Sequence, residues 1–254
     1  MQPFAFDRNL INKNKSMKFN NETPFRSAIM IILFMVATQF AMAQSSETRE
    51  LRGFEEVSVG SGINLYIKQG EEYYVEVIAE DRDDLEKIKT EVVGGRLKIS
   101  YKRSGWGFNW NNKMEVRVTM PDIYEINASG GADVYGVNLI RTKDLELGAS
   151  GGADIKLEVE VGNLILNSSG GSDIELSGKA LFLEGQSSGG SDIKAYDLRV
   201  KRAKLNASGG SDIQITVIEE LEANASGGSD IYYKGNPTKV RSNSGASGDV
   251  NHVN

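Results

Sequence analysis

Cysteine is absent from the 254-residue chain, and histidine occurs once, as His252. Without cysteine there are no disulfides and no lipid-anchored thiol, so packing and hydrogen bonds must hold the fold together. One histidine rules out histidine-based triads and histidine metal clusters, and His252, close to the C-terminus, reads as a solvated tail residue. Long apolar runs are missing too: Ala28–Ala37 stops at ten residues, whereas a membrane-spanning helix needs about 20. Basic blocks are lacking as well. With 29 Lys and Arg against 35 Asp and Glu, the net charge is −6, which sets nucleic acid aside as a partner.

The short apolar run has its own meaning. Lys18 and Arg26 precede it and Ala41-Met42-Ala43 follows, the layout of a Sec signal peptide over residues 1–43, cleaved after Ala43, with Met17 as an alternative start. This segment carries five basic and two acidic residues, so the exported part has a charge of −6 − 3 = −9. The expected destination is the periplasm, the outer membrane surface or the medium. Residues 44–50 read as a short linker.

From 51 to 126 the chain is non-repetitive and alternates apolar with polar residues in Phe54–Val59, Ile63–Gln69, Tyr73–Ala79, Arg96–Tyr101 and Met114–Met120, the period of half-buried strands. Asp81–Val93 is the one helix candidate, expected as a turn or two at the surface. Trp106, Phe108 and Trp110 stand in a Gly- and Asn-rich stretch. They form either a stacking platform for a sugar or a partner side chain, or a lid over an open end of the core.

Residues 127–254 repeat one phrase, S-G-G-x-D-I, in seven versions whose aspartates are Asp133, Asp154, Asp173, Asp192, Asp212, Asp230 and Asp249. The intervals are 21, 19, 19, 20, 18 and 19 residues. Nine and seven residues before each aspartate the positions are mostly Leu, Ile, Val or Ala, and a Val or Ile always follows it. Units this short cannot bury a face alone and must stack, which predicts an all-β parallel β-helix (β-solenoid) of about 19-residue coils, with less regular strands at its N-terminal end. The glycines make sharp corners that need positive φ. Six residues before the aspartates stand Asn127, Gly148, Asn167, Gln186, Asn206, Asn224 and Asn243. Stacked, the amides should form a hydrogen-bonded ladder. The last phrase is degenerate, with Ala246 in place of a glycine, and reads as a capping coil; coil stacking between molecules is a route to homo-oligomers.

The opening R-G-F-E-E-V-S-V from Arg52, the S-G-I-N of Ser61–Asn64, the V-V-G-G-R-L-K-I from Val92 and the S-G-G-S-D-I phrases resemble the head GIN domain family of adhesins. The resemblance covers about residues 50–250. It implies an exported right-handed β-helix of Gram-negative bacteria with an adhesin role, and it brings no catalytic residues to carry over.

A column of seven carboxylates about 4.8 Å apart must offset its own repulsion. The favoured arrangement has each aspartate accept N–H groups of its own corner, as in an Asx-turn. The alternative is calcium between coils, as in β-rolls; here the phrase recurs every 19 residues or so without a second acidic ligand in phase, and no metal or other cofactor is expected. Seven equivalent aspartates read as structural, although neighbouring rungs would have spacings compatible with a glycan-cleaving carboxylate pair. Lys194, Arg199, Lys201, Arg202 and Lys204 make a local basic patch, either a contact for an acidic glycan or a solvated face. The reading is a non-enzymatic binding or scaffold module whose partner is a cell-surface glycan or protein.

Overall fold

A computed structural model describes residues 44–102, 113–245 and 247–254. Strand accounts for 69% of the described residues and helix for 3%, in a solenoid of about 7 turns with roughly 19-residue spacing. The repeat region supplies β8 (Glu125–Ser129), β9 (Asp133–Gly136), β10 (Ile140–Ser150), β11 (Asp154–Ser169), β12 (Asp173–Ser188), β13 (Asp192–Ser208), β14 (Asp212–Ser226), β15 (Asp230–Lys234), β16 (Lys239–Ser244) and β17 (Asp249–His252). All of their pairings are parallel, and equivalent positions of the phrase lie side by side: Asp154 beside Asp173, Ile155 beside Ile174, Asn167 beside Gln186.

Each coil turns at its glycine pair, where φ is positive for both residues, as at Gly189 (72°) and Gly190 (75°). The first glycine of a pair packs on the backbone of the coil before it: a Cβ on Gly209 would stand 3.2 Å from the Gly189 nitrogen. The position allows neither the conformation nor the space for a side chain. Val134, Ile155, Ile174, Ile193, Ile213 and Ile231 follow the aspartates and are buried, forming one interior column. Leu147, Leu166 and Leu205 face them from the strands before the corner. The inward pattern fails at the two ends of the repeat, where Tyr124 and Val240 are exposed.

The unequal intervals are absorbed away from the glycine corner. Between β12 and β13 the register slips at Glu175/Ser177, and between β13 and β14 it slips at Ala195/Arg199 and again at Val200/Arg202. Bulges take up the extra residues without disturbing the columns on either side of the corner.

The N-terminal section comprises β1 (Ser45–Thr48), β2 (Glu56–Val59), β3 (Asn64–Gln69), β4 (Tyr74–Ala79), α1 (Arg82–Lys87), β5 (Ile88–Val93), β6 (Arg96–Tyr101) and β7 (Met114–Met120). Much of it continues the stack. β2 runs parallel to β8, with Ser58 beside Asn127, and β3 runs parallel to β9, with Leu65 beside Val134. The Gly60-Ser61-Gly62 turn is therefore one more corner, tied to the next by a Gly62 N–H to Gly130 O bond of 3.1 Å. Ser61, at φ 66°, takes the place of a corner glycine and is the one non-glycine residue with positive φ among the described residues. β6 and β7 lie parallel to β2 and β3 on the other side.

Antiparallel strands then close that end: β5 on β6, β4 on β7, and β1 on β4. α1 lies between β4 and β5 in the chain. Its cap is Asp81, whose carboxylate accepts the Asp84 N–H at 2.7 Å. The helix is as short as expected, but Leu85 and Ile88 are buried in the main core and the rest of the charged stretch, Ile88–Val93, is strand. An apolar pair three residues apart plugs the open end of a solenoid as readily as it pins a surface helix, and tertiary packing decides which.

Candidate functional site

The aspartate column lies on the outer surface, one carboxylate per coil, half-buried or exposed throughout. Asp133, Asp154, Asp173, Asp192, Asp212, Asp230 and Asp249 are consecutive partners in the strand register. Asn64 and then Glu115 continue the row through β3 and β7.

These carboxylates do not satisfy their own corners, and the Asx-turn expectation is corrected. Most instead accept the backbone N–H of the aspartate one coil further on: Asp154 Oδ1 from Asp173 at 3.1 Å, Asp192 from Asp212 at 3.2 Å, Asp212 from Asp230 at 3.2 Å and Asp230 from Asp249 at 3.1 Å, whereas the Asp192 N–H goes to the Ser172 carbonyl at 3.1 Å and Asp173 pairs with Lys194. The corner's own N–H goes to the serine before the aspartate. Ser191 Oγ accepts the Ser188 N–H at 3.2 Å and lies 2.9 Å from the Ser188 carbonyl, and Ser172, Ser211 and Ser229 repeat the pattern. That serine side chain points inward and is fully buried, so it is near its own turn, while the aspartate, one residue later in an extended strand, must point outward.

Charge in the column is handled locally. Asp133 is pushed above the ordinary carboxylate range by burial first and by the neighbouring charge of Asp154 second, against the lowering effect of bonds from Tyr135 and the Asp154 backbone. Lys194 reaches across to Asp173 in a close ion pair and stands 3.9 Å from Asp192. Its bond to Asp173 raises its pKa, with the charges of Asp173, Asp192 and Asp154 adding to the effect and burial opposing it. Among the described residues no group of three or more His, Asp or Glu side chains is arranged to hold a metal ion. One outward carboxylate per coil offers a cation too few oxygens.

The amides align in the expected column, Asn127 beside Gly148 beside Asn167 and onward to Asn243, but the continuous ladder is not formed. Among the described residues a direct amide-to-amide bond joins one pair, Asn224 Nδ2 to Asn206 Oδ1 at 3.1 Å. Asn127 donates to Glu125, and Asn167 donates to Glu146 at 3.3 Å. A carboxylate on the same face, two positions back in the same coil or the neighbouring one, is a stronger acceptor than another amide. At Gly148 a Cβ would lie 2.1 Å from Asn127 Oδ1, so the neighbouring amide fills the glycine's space.

Trp106, Phe108 and Trp110 lie outside the described residues, in the connection from β6 to β7, as do Ala246 and residues 1–43. His252 is less of a tail residue than expected: it belongs to β17, its Nε2 is 2.7 Å from Gly235 O, and its ring tilts against Tyr233 at 5.0 Å. The basic patch is dispersed. Lys194 serves the aspartate column, Lys204 faces Glu184 at 3.9 Å, and Lys201 faces Glu219 at 3.5 Å.

Two surface features escaped the sequence reading. Tyr66 and Tyr135, two residues after Asn64 and Asp133, stack on neighbouring coils with centroids 5.3 Å apart. Arg96 bridges Glu56 at 2.8 Å and Glu125 at 2.5 Å, crossing three levels of the stack. Both need the N-terminal section to be coiled beside the first repeat. The signal available was the likeness of V-S-V-G-S-G-I-N-L to A-S-G-G-A-D-V around its turn.

Together these features define a class: a parallel β-solenoid repeat protein that displays its polar groups in outward columns. The family model described as "Putative auto-transporter adhesin, head GIN domain" matches residues 53–237, and the chain belongs to that family. A crystal structure of a "putative adhesin" from Bacteroides fragilis is similar to it with a TM-score of 0.78 at 23% identity, covering 83% of this chain and 97% of that one. A "putative lipid binding protein" from Parabacteroides distasonis (TM-score 0.65, 21% identity, 83% and 97% coverage) and a "putative adhesin" from Parabacteroides merdae (0.65, 20%, 83% and 96%) share the fold. No curated protein sequence matches the chain.

Proposed function

We propose that this chain is an exported, non-catalytic adhesin-like module that acts at the cell surface, its stacked coils forming a rigid scaffold whose outer columns meet a glycan or protein of another surface. One observation carries the reading. The acidic side chains stand one per coil in a single outward row, most of them engaged with the next coil's backbone, and do not converge on a cleft. A catalytic carboxylate pair needs two unlike environments that separate an acid from a base. The rungs differ in local charge, as at Asp133 and at the Lys194-paired Asp173, but they stand side by side in one row and do not face each other. Membership of a family described as adhesins supports the same conclusion, and the Lys18–Ala43 leader pattern supports export.

The test is fractionation of cells expressing the native chain, followed by protease shaving of intact cells. Surface exposure requires loss of the protein on shaving and a mature N-terminus at Gln44. Retention in the cytoplasm, or full protection with the outer membrane intact, would refute the surface role. A glycan array probed with residues 44–254 then separates sugar from protein partners.

A further inference from the structure

We propose that the corner opposite the aspartate column is a binding groove for a long-chain carboxylate, a single fatty acid lying along the solenoid axis. The depression holds about 570 Å³, within the range of small-molecule sites. Its floor is Val161 and Gly162 of β11, Ala180 and Leu181 of β12 and Ile218 of β14, with Arg199 and Lys201 of β13 between the last two. Adjacent strands are about 4.8 Å apart, so the floor runs roughly 14 Å along the axis. Gly162 opens it: a Cβ there would lie 2.7 Å from the Lys143 carbonyl, so the corner stays bare beside Leu181. Leu181 is 54% exposed in consequence, a large aliphatic side chain in a protein whose other coil leucines are mostly buried.

The rim is cationic. Glu160, Lys179 and Arg199 are consecutive partners in the strand register. Glu160 is already neutralised by Lys179 at 2.9 Å and Arg141 at 3.4 Å, and these partners lower its pKa, the Lys179 bond most. Arg199, next in the row, has no ion pair among the described residues, and Lys201 borders the groove beside it. An unpaired guanidinium on the rim of an apolar trough presents a fork of donors to a carboxylate whose chain lies over the β11 and β12 floor. A charge of −9 on residues 44–254 (24 basic, 33 acidic) argues against the other user of such chemistry, an anionic bilayer, which would be repelled by the rest of the surface.

The experiment uses residues 44–254 and a dansyl-labelled undecanoic acid as fluorescent probe, with laurate and dodecanol as competitors below their aggregation limits. Saturable one-to-one binding is expected, with laurate displacing the probe and dodecanol about tenfold less effective. Arg199→Ala should weaken laurate by about tenfold and leave dodecanol unchanged, whereas Leu181→Glu should weaken both. Both side chains are exposed, so melting should be unaffected in either variant. No saturable binding, or affinities untouched by both substitutions, overturns the proposal. So does sedimentation with phosphatidylglycerol vesicles when monomeric laurate fails to compete, which would make the groove a membrane contact.

Discussion

If the aspartates serve the backbone of the next coil and not a cation, three of the seven can be neutralised without harm. Replacing Asp154, Asp192 and Asp230 with asparagine interrupts every adjacent pair from Asp133 to Asp249 while leaving an acceptor oxygen for the N–H groups of Asp173, Asp212 and Asp249. Two charges about 4.8 Å apart repel by roughly 0.9 kcal/mol in water, and salt reduces this to about half at these surface positions. Relief over the column is then about 3 to 5 kcal/mol. Against it stands the exchange of three charged acceptors for neutral ones, about 0.5 to 1 kcal/mol each, and the loss of the distant Asp192 contact to Lys194. The balance is a gain of about 1 to 3 kcal/mol at pH 7, which for a domain of this size raises Tm by roughly 2 to 9 °C. Thermal unfolding followed by circular dichroism at low salt measures it, repeated with chelator and with excess calcium. The gap between variant and wild type should shrink in high salt. A fall in Tm of several degrees, or a calcium-dependent midpoint in the wild type that the variant lacks, would refute the reasoning.

The pH dependence has a definite sign. The folded-state pKa of Asp133 is raised, so its contribution to stability is greatest below the ordinary carboxylate pKa and is lost as pH rises through the folded value; Asp133→Asn should stabilise at pH 7 and lose that advantage as pH falls below the ordinary carboxylate pKa, as melts across that window would show. Glycine corners should divide by their surroundings. Gly190→Ala, at φ 75° with open space around it, should cost about 1 to 2 kcal/mol in denaturant unfolding, whereas Gly178→Ala, whose Cβ would stand 2.1 Å from the Val159 carbonyl, should cost clearly more or prevent folding. Ile193→Ala in the closed interior column should cost about 2 to 5 kcal/mol by the same assay. Ser191→Ala removes the acceptor of the Ser188 N–H and should cost about 1 kcal/mol, a small loss because Ala132 and Ala153 occupy this position in other coils.

Much of the architecture was legible in the residues. A phrase returning every 18 to 21 positions puts each chemical type on one line of a stack, so the inward isoleucines, the corner glycines and the outward aspartates follow from the period. Harder to read was the start of the stack. Gly60-Ser61-Gly62 has a serine in place of the first corner glycine and no aspartate, and its partner in the first repeat is 69 residues away in the chain, with β3, β4, α1, β5, β6 and β7 between them. The amide column was legible as a row but not as a set of bonds, because Glu125 and Glu146 take the amides of Asn127 and Asn167. The groove at Gly162 and Leu181 carries no sequence signal, since it arises from glycine on one coil beside leucine on the next and a change in coil length further on.

The sequence by itself determined the period, the in-register columns and which residue types enter the core. These are consequences of alternation along a strand and of repetition between strands, and both are local. Only the tertiary structure decided what each polar group touches. Asp154 is closer to the amide of Asp173 than to the turn that precedes it, and Arg96 ties Glu56 to Glu125 across coils. In a solenoid the nearest neighbours of a side chain belong to the coils above and below, so bonding partners are set by the stacking of turns and not by adjacency in the chain.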